Sequence, residues 1–169
     1  MTFDPALVDA LEELTPTSWS GAAHRFTSGG RSPDRENTFG ARWNPAGVPT
    51  IYTALSREGL DAEFRHALSG WVPPPDPSKF TAYRLQISIG GVLDLRDEGV
   101  LLRVGLTEGD IGSDSFAACQ RVGGAAHWLG RAGLLVPSVR HPTGSNLVIF
   151  TDNVDAEFLL EEVGSAPMR

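Results

Sequence analysis

Hydrophobic and polar residues alternate along several short segments of the chain, and this period of two predicts β-strands. The clearest case is Lys79 to Ile89, where Tyr83, Leu85, Ile87 and Ile89 fall on one face and Arg84, Gln86 and Ser88 on the other. Val92–Leu95 is expected to extend the same sheet beyond Gly90 and Gly91. Further strands are predicted at Trp19–Thr27, Leu134–Val136 and Leu147–Phe150.

Helical spacing of apolar residues predicts three helices between these strands. Asp4 and Pro5 begin the first, which runs to about Leu14. Ser56 caps the second, and Asp114 caps a third that runs to about Arg131, with Gly133 as its stop signal. The last residues, Ser165–Arg169, are expected to fray. Strands and helices interleave without a regular βαβ repeat, which favours a mixed α+β fold in a single domain spanning residues 1–169.

The segment from residue 39 to residue 68 carries the most informative pattern. Asn44-Pro45-Ala46-Gly47 has the composition of a tight turn, because proline fixes φ and glycine accepts a positive φ. Thr50–Thr53 is β-branched or aromatic and predicts a strand. The turn, the strand and the helix after Ser56 are therefore expected to hold Arg42, Tyr52 and Glu63 in a fixed relation.

Glu63 stands out on the predicted second helix. The apolar stripe on this helix consists of Leu60, Phe64, Ala67 and Leu68, and Glu63 falls on its edge. A carboxylate beside a buried face is costly unless it has a partner or a task. It is either a boundary residue that extends to water or pairs with Arg84 or Arg103, or part of a functional site. Arg42 and Tyr52 just upstream favour the site.

Charge narrows the range of ligands. The net charge of −7 and the pI near 5.0 argue against nonspecific binding of long nucleic acids. Four arginines nevertheless lie close together in the sequence, at positions 25, 31, 35 and 42. Such a group could hold a pyrophosphate, since guanidinium binds phosphate bidentately, although Arg31 and Arg35 also fit as solvated loop residues.

Other features exclude several classes of protein. The single cysteine, Cys119, gives no internal disulfide and suits a reducing cytoplasm. The N-terminal segment is acidic, not a secretion signal, and no apolar run is long enough to span a membrane. The four histidines, at 24, 66, 127 and 141, lack the spacing of metal ligands, so no metal is expected.

The segment RWNPAGVPTIYTALSREGLDAEF, residues 42–64, resembles the core signature of the RES domain family. The resemblance covers roughly residues 18–150. It begins at His24-Arg25-Phe26 and closes with Val136-Pro137-Ser138 and Asn146. It implies an ADP-ribosyltransferase-like fold, in which flanking helices surround a split β-sheet core.

The resemblance also implies roles for individual residues. Arg25, Glu63 and Ser138 match the family's arginine, glutamate and serine, and are the expected catalytic residues. Arg42, Tyr52 and Asn146 are expected to bind substrate. Two departures stand out: Phe26 occupies a position where the family often has tyrosine, and the chain lacks the family's Asn-Pro-x-His element after Asn146. Taken without the resemblance, Ser138 is a residue that bonds loop backbone after Pro137.

The activity implied by the resemblance is that of a toxin from a toxin–antitoxin pair. Such a toxin degrades NAD by breaking the bond between nicotinamide and ribose, through hydrolysis or phosphorolysis. Its expected partner is an Xre-type helix-turn-helix antitoxin that occludes the active site. Whether the toxin forms a homodimer within that complex stays open. Two alternatives also stay open: an ADP-ribosyltransferase that modifies a specific protein, and a non-catalytic module that only binds an antitoxin.

Overall fold

The computed structural model describes residues 2–169. The helices are α1 (Pro5–Glu12), α2 (Arg57–Ser69), α3 (Glu98–Arg103), α4 (Glu108–Gly112) and α5 (Ala117–Trp128). The strands are β1 (Thr17–Ser28), β2 (Thr50–Ala54), β3 (Phe80–Asp94), β4 (Gly133–Pro137), β5 (Ser145–Phe150) and β6 (Leu159–Pro167). A mixed fold with a β-sheet core and flanking helices is thereby confirmed.

The strands pair into a sheet that closes on itself. The hydrogen-bonded order is β1-β2-β5-β4-β3-β6, and β1 also pairs with β3. Strand β3 makes this closure because it is 15 residues long. Its first part pairs with β1 and β6, and its last part, Val92–Asp94, pairs in parallel with β4. A single pair, His24 with Ala54, joins β1 to β2.

The alternation seen in the sequence separates two hydrophobic clusters. One takes residues from each of β1–β5, among them Ala23, Ile51, Ile87, Leu135 and Ile149. The other uses the opposite faces of β4 and β5 and packs against α1 and the α3–α5 segment; it includes Leu134, Val136, Val148, Phe150, Leu11, Leu101, Ile111 and Val122. A change of face at successive positions is what the strand pleat requires.

Helix α2 lies beside β1 and β2 and begins where the sequence predicts. The Ser56 side chain accepts a hydrogen bond from the Gly59 amide, and Glu58 lies in the first turn, where a carboxylate favours the helix dipole. Leu60 and Phe64 are buried in a third cluster. This packing fixes the face of α2 and, with it, the direction in which Glu63 projects.

The predicted start of the third helix is wrong. Helix α5 begins at Ala117 with Phe116 as its N-cap, so Asp114 does not cap it. The physical reason lies in Arg42, which donates to the Ser113 carbonyl and lies over the Phe116 ring. These tertiary contacts hold residues 113–116 outside the helix. The end of the helix also differs, because Gly130 follows it at a φ of 75° and Gly133 begins β4.

The C-terminal segment does not fray. Thr81, Ala82 and Tyr83 of β3 pair with Pro167, Ala166 and Ser165 of β6. Met168 is only 2% exposed and packs in the cluster that contains Phe64. The polar residues of this segment give no strand pattern in the sequence. This is because β6 lies at the edge of the sheet, where its side chains are mostly exposed and only Met168, the residue after it, is buried.

Candidate active site

A cleft of about 430 Å³ lies between α2, the ends of β1 and β2, and the segments that flank β4 and β5. We call it the Glu63 cleft. The polar side chains that line it are His24, Arg25, Asn37, Arg42, Tyr52, Thr53, Glu63, His66, Arg140 and Asn146. Five of the six predicted site residues therefore line one cavity, and Ser138 is the exception.

A larger cavity of about 550 Å³ lies between α1 and α5. None of the predicted site residues lines it, and its floor is formed largely by apolar side chains such as Phe3, Leu7 and Val122. The residues that line this larger cavity include no glutamate, histidine or tyrosine, the side chains that mark the Glu63 cleft.

The RWNP turn, residues 42–45, is held by the strand that follows it. The Tyr52 hydroxyl donates to Asn44 Oδ1 at 2.6 Å and accepts from the Trp43 amide at 3.0 Å. Burial raises the pKa of Tyr52 well above its ordinary value, so the hydroxyl stays protonated. The hydroxyl is committed to the turn, and the Tyr52 ring is the part of this side chain that is left to face the cleft.

Helix α5 holds the same turn from the other side. Gln120 Nε2 donates to the Ala41 carbonyl at 2.9 Å, and also lies 3.3 Å from the Asn44 carbonyl. Gly123 lies so close to Trp43 that an added Cβ would meet the Trp43 carbonyl oxygen at 1.8 Å. Trp43 itself is 3% exposed and anchors the turn in the core. The turn is therefore rigid, which fixes the backbone that carries Arg42.

Arg42 projects from this turn without a carboxylate partner. Its Nη1 donates to the Ser113 carbonyl at 2.8 Å, and its Cζ lies 4.5 Å from the centre of the Phe116 ring. Both contacts orient the guanidinium but leave its charge uncompensated. Cys119 is nearby, yet burial raises the pKa of its thiol, which makes it a poor nucleophile.

Arg25 is braced in a similar way. Its Nη1 and Nη2 donate to the carbonyls of Pro33 at 2.6 Å and Arg35 at 2.5 Å. Burial lowers the pKa of this guanidinium and nearby Asp34 opposes the change, but arginine stays charged at any physiological pH. A half-buried cation held by neutral carbonyls attracts an anion.

Glu63 lines the same cleft as these arginines and has an amide as its partner. Asn146 Nδ2 is 3.5 Å from Glu63 Oε1, which is the outer limit of a hydrogen bond. Asn146 Oδ1 is buried and unpaired. The alternative pairing of Glu63 with Arg84 or Arg103 is not seen, since Arg103 pairs with Glu13 instead.

Ser138 lies directly behind the cleft. It is 7% exposed, and its Oγ accepts from the amides of Arg140 at 3.3 Å and His141 at 3.1 Å. These are the backbone contacts expected of a serine after Pro137. Its neighbours Pro137 and Val139 and the next residue, Arg140, line the cleft, so Ser138 shapes the turn that carries them.

The sequence interpretation gave no site role to His24, His66 or Arg140. All three line the cleft, and His66 is also exposed on the surface of α2. Burial, with Arg57 and Arg84, lowers the pKa of His24, which keeps it neutral near pH 7. His66 lies three residues after Glu63, and this helical spacing was its one sequence signal. Arg140 carried no signal, because its place depends on the turn after β4.

A smaller cleft of about 290 Å³ adjoins the first at Arg25, Phe26 and Asn37. Arg31 and Arg35 line it with Phe39, whose side chain is 90% exposed. Phe26 packs edge-on against Phe64 with ring centres 5.0 Å apart. The missing tyrosine hydroxyl at this position is thus replaced by an apolar contact between β1 and α2.

No group of three or more His, Cys, Asp or Glu side chains among residues 2–169 could hold a metal ion. No helix among the described residues has the length and apolar character needed to cross a membrane.

Comparison with known proteins gives a consistent result. The chain is 33% identical over 142 residues to the NAD(+) phosphorylase MbcT of Mycobacterium bovis, an alignment that covers 80% of this chain and 76% of that protein. The MbcT protein of Mycobacterium tuberculosis matches equally well.

A solved structure extends the likeness to the fold. The crystal structure of the M. tuberculosis MbcT–MbcA toxin–antitoxin complex superposes with a TM-score of 0.86 and 26% identity. The match covers 99% of this chain and 94% of the chain in that structure. The family model of the RES domain matches residues 11–168 of this chain. The chain belongs to the RES domain family.

Proposed function

We propose that this protein is the toxin of a toxin–antitoxin pair and that it degrades NAD by phosphorolysis of the nicotinamide–ribose bond. The observation that carries the proposal is the Glu63 cleft, where a carboxylate lines the same cavity as Arg25 and Arg42, and neither arginine forms a salt bridge within residues 2–169. Its relatives, the mycobacterial MbcT proteins, are NAD(+) phosphorylases. We propose that it acts in the cytoplasm, because a reducing compartment suits a chain with one unpaired cysteine.

The chemistry follows from the bond that breaks. When the C1′–N bond cleaves, its electron pair goes to the ring nitrogen, nicotinamide leaves neutral, and positive charge builds on the ribose. The Glu63 carboxylate stabilises this oxocarbenium-like state and accepts a hydrogen bond from a ribose hydroxyl. Asn146 holds Glu63 through its amide. The Tyr52 ring packs against nicotinamide.

The two adjoining clefts fit the two halves of NAD. Nicotinamide and its ribose occupy the Glu63 cleft, and the adenosine half occupies the smaller cleft lined by Phe39. Arg25 belongs to both and binds the pyrophosphate between them, because a guanidinium offers phosphate a bidentate contact. Arg42 orients the nicotinamide carboxamide or the nearer phosphate. Ser138 supports the site as a positioning residue.

The closed sheet, with its cleft at the junction of β1 and β2, also supports an ADP-ribosyltransferase-like fold. We place the split of that fold where a single residue pair joins these strands. This arrangement leaves room between β1 and β2 for a ligand beside α2.

The partner in this proposal is an Xre-type helix-turn-helix antitoxin. It occludes the Glu63 cleft, and two copies of the toxin can be present in the complex. MbcT has been crystallised with the antitoxin MbcA, and the exposed rings of Phe39 and Phe116 beside the clefts offer a docking surface. Adding the antitoxin is expected to stop NAD loss in proportion to the complex formed.

Replacement of Glu63 by glutamine tests the function directly. Glu63→Gln keeps the shape of the side chain but removes the charge that stabilises the ribose cation. Turnover of NAD should fall at least about a hundredfold, with the melting temperature unchanged. Glu58→Gln, on the exposed first turn of the same helix, is the matched control and should turn over NAD normally. Equal rates for Glu63→Gln and the wild type would refute the assignment.

A further inference from the structure

Arg140 is a cation in the Glu63 cleft that the roles above do not use. It lines the cleft and is partly buried. The salt bridges among residues 2–169 involve Arg57, Arg96, Arg103 and His127, and no carboxylate pairs with Arg140. A guanidinium kept inside a cleft without an acidic partner favours an anionic ligand.

The neighbour of Arg140 leaves its charge intact. Arg140 Nη2 lies 2.8 Å from His66 Nε2. A guanidinium has only donors, so Nε2 must be the acceptor and His66 must carry its proton on Nδ1. A neutral imidazole in this tautomer fixes the guanidinium without cancelling its charge. The free Nδ1–H is a second donor beside it.

The backbone that carries Arg140 is held rigidly. Ser138 Oγ accepts from the amides of Arg140 and His141, and the Ser138 amide donates to the Gly144 carbonyl at 3.0 Å. The Gly144 amide returns a hydrogen bond to the His141 carbonyl at 2.8 Å. This closed turn presents Arg140 in one position, as a binding site requires.

Arg140 and Arg25 reach the cleft from different parts of the sheet: Arg25 lies on β1, and Arg140 follows β4. His24, Ala54, Asn146 and Val136 form a row of paired positions across β1, β2, β5 and β4. Arg25 follows the first position of the row, and Arg140 comes four residues after the last, in the turn beyond β4. Three strand spacings separate the two ends of the row, roughly 14 Å along the sheet. The two cations therefore come from different ends of the row, and Glu63 contacts Asn146 between those ends, which favours two separate anion sites.

We propose that Arg140, positioned by His66, binds the inorganic phosphate that accepts the ribosyl group. This inference rests on the proposed cleavage of NAD. A phosphate oxygen forms the new bond to ribose C1′ as the C1′–N bond breaks, and nicotinamide departs with that electron pair. The products are nicotinamide and ADP-ribose carrying a phosphate on C1′. When the monohydrogen dianion attacks, the surplus proton of the new ester passes to water.

The test measures NAD turnover as a function of inorganic phosphate for three proteins: wild type, Arg140→Ala and Arg65→Ala. Arg65 is exposed on the same helix as His66 and does not line the cleft, so it controls for loss of positive charge. Arg140→Ala should raise the KM for phosphate about ten- to a hundredfold, the effect of a lost charge-assisted contact, while the KM for NAD changes less than about twofold. Arg65→Ala should match the wild type in both.

Variants of His66 separate positioning from binding. His66→Gln keeps an acceptor for Arg140 and should retain most of the affinity for phosphate. His66→Leu loses that acceptor, frees the guanidinium to move, and should raise the KM for phosphate. Equal phosphate dependence in His66→Gln, His66→Leu and the wild type would remove His66 from the proposal.

A second readout does not depend on turnover. Inorganic phosphate should raise the melting temperature of the wild type, because a ligand of the folded state stabilises it, and should do so less for Arg140→Ala. An unchanged KM and an unchanged thermal shift in Arg140→Ala would overturn the inference. A matching rise in the KM for NAD would assign Arg140 to the pyrophosphate of NAD instead. If the wild type does not cleave NAD, the proposed function is refuted. The thermal shift still decides whether Arg140 binds phosphate.

Discussion

Tyr52 shows how one hydroxyl group can hold a binding residue in place. It joins the Trp43 amide and the Asn44 side chain, and the turn so formed carries Arg42. Tyr52→Phe leaves both groups buried without this partner, so it should lower the free energy of unfolding by about 1–3 kcal/mol. Urea denaturation measures this change. Tyr83→Phe, the substitution of the other tyrosine, removes a bond to the exposed Arg31 carbonyl and should cost less.

The same hydroxyl predicts a dependence of stability on alkaline pH. Burial raises the pKa of Tyr52 above its ordinary value of about 10, so the folded protein keeps a proton that the unfolded chain loses. The contribution of Tyr52 is therefore complete below about pH 10 and is lost as the pH rises further. The difference in stability between the wild type and Tyr52→Phe should stay constant below about pH 10 and shrink steadily as the pH rises above it. A difference that stays constant over the whole range would contradict this account.

Residue chemistry in the sequence was sufficient to find most of the site. Arg25, Arg42, Tyr52, Glu63 and Asn146 line one cleft, because the turn, strand and helix that carry three of them are adjacent in sequence. Arg140 and His66 could not be predicted. Their contact joins positions 74 residues apart and depends on the turn after β4.

At the level of secondary structure, the closest packing lies between α5 and the RWNP turn. A methyl group added at Gly123 would overlap the Trp43 carbonyl, so Gly123→Ala must push the helix away from the turn. We expect a loss of more than about 3 kcal/mol in the free energy of unfolding, together with weaker NAD turnover as Arg42 shifts.

Gly112→Ala provides the control for this prediction. Gly112 ends the short helix α4, and nothing lies within 4 Å of an added Cβ. Stability should stay the same or rise by up to about 1 kcal/mol. Similar losses in Gly123→Ala and Gly112→Ala would show that contact with the Trp43 carbonyl is not the cause of the loss in Gly123→Ala.

The residue that follows β6, Met168, supports helix α2. This residue packs with Leu60 and Phe64 of α2, the helix that carries Glu63. Met168→Ala should lower the free energy of unfolding by about 2–5 kcal/mol, as measured by denaturation. Val163→Ala, at a position in β6 that is 53% exposed, should change it little. An equal effect of the two substitutions would mean that Met168 does not anchor β6.

The elements that the sequence predicted well are those with a long or regular pattern. Strand β3 and helix α2 show clear alternation or an apolar stripe, and both occur where expected. Helices α3 and α4 have six and five residues, fewer than a periodic pattern needs for recognition. Strand β6 has mostly exposed side chains, so its sequence lacks the alternation of a half-buried strand.

For the whole molecule, the distribution of charge matters more than its sum. The chain carries a net charge of −7, yet the cleft brings Arg25, Arg42 and Arg140 together around one carboxylate. A local positive field of this kind suits the doubly charged pyrophosphate of a dinucleotide and a second anion. The acidic remainder of the surface is unsuited to DNA, which fits an assembly in which the antitoxin makes the DNA contacts.

The most direct measurement is mass analysis of the products after the purified protein, free of antitoxin, is incubated with NAD and inorganic phosphate. The account predicts free nicotinamide and ADP-ribose that carries one added phosphate, with the phosphorylated product absent when phosphate is omitted. ADP-ribose attached to a protein would instead identify a transferase. Intact NAD, from protein shown to be folded, would contradict the central claim and favour a module that only binds its partner.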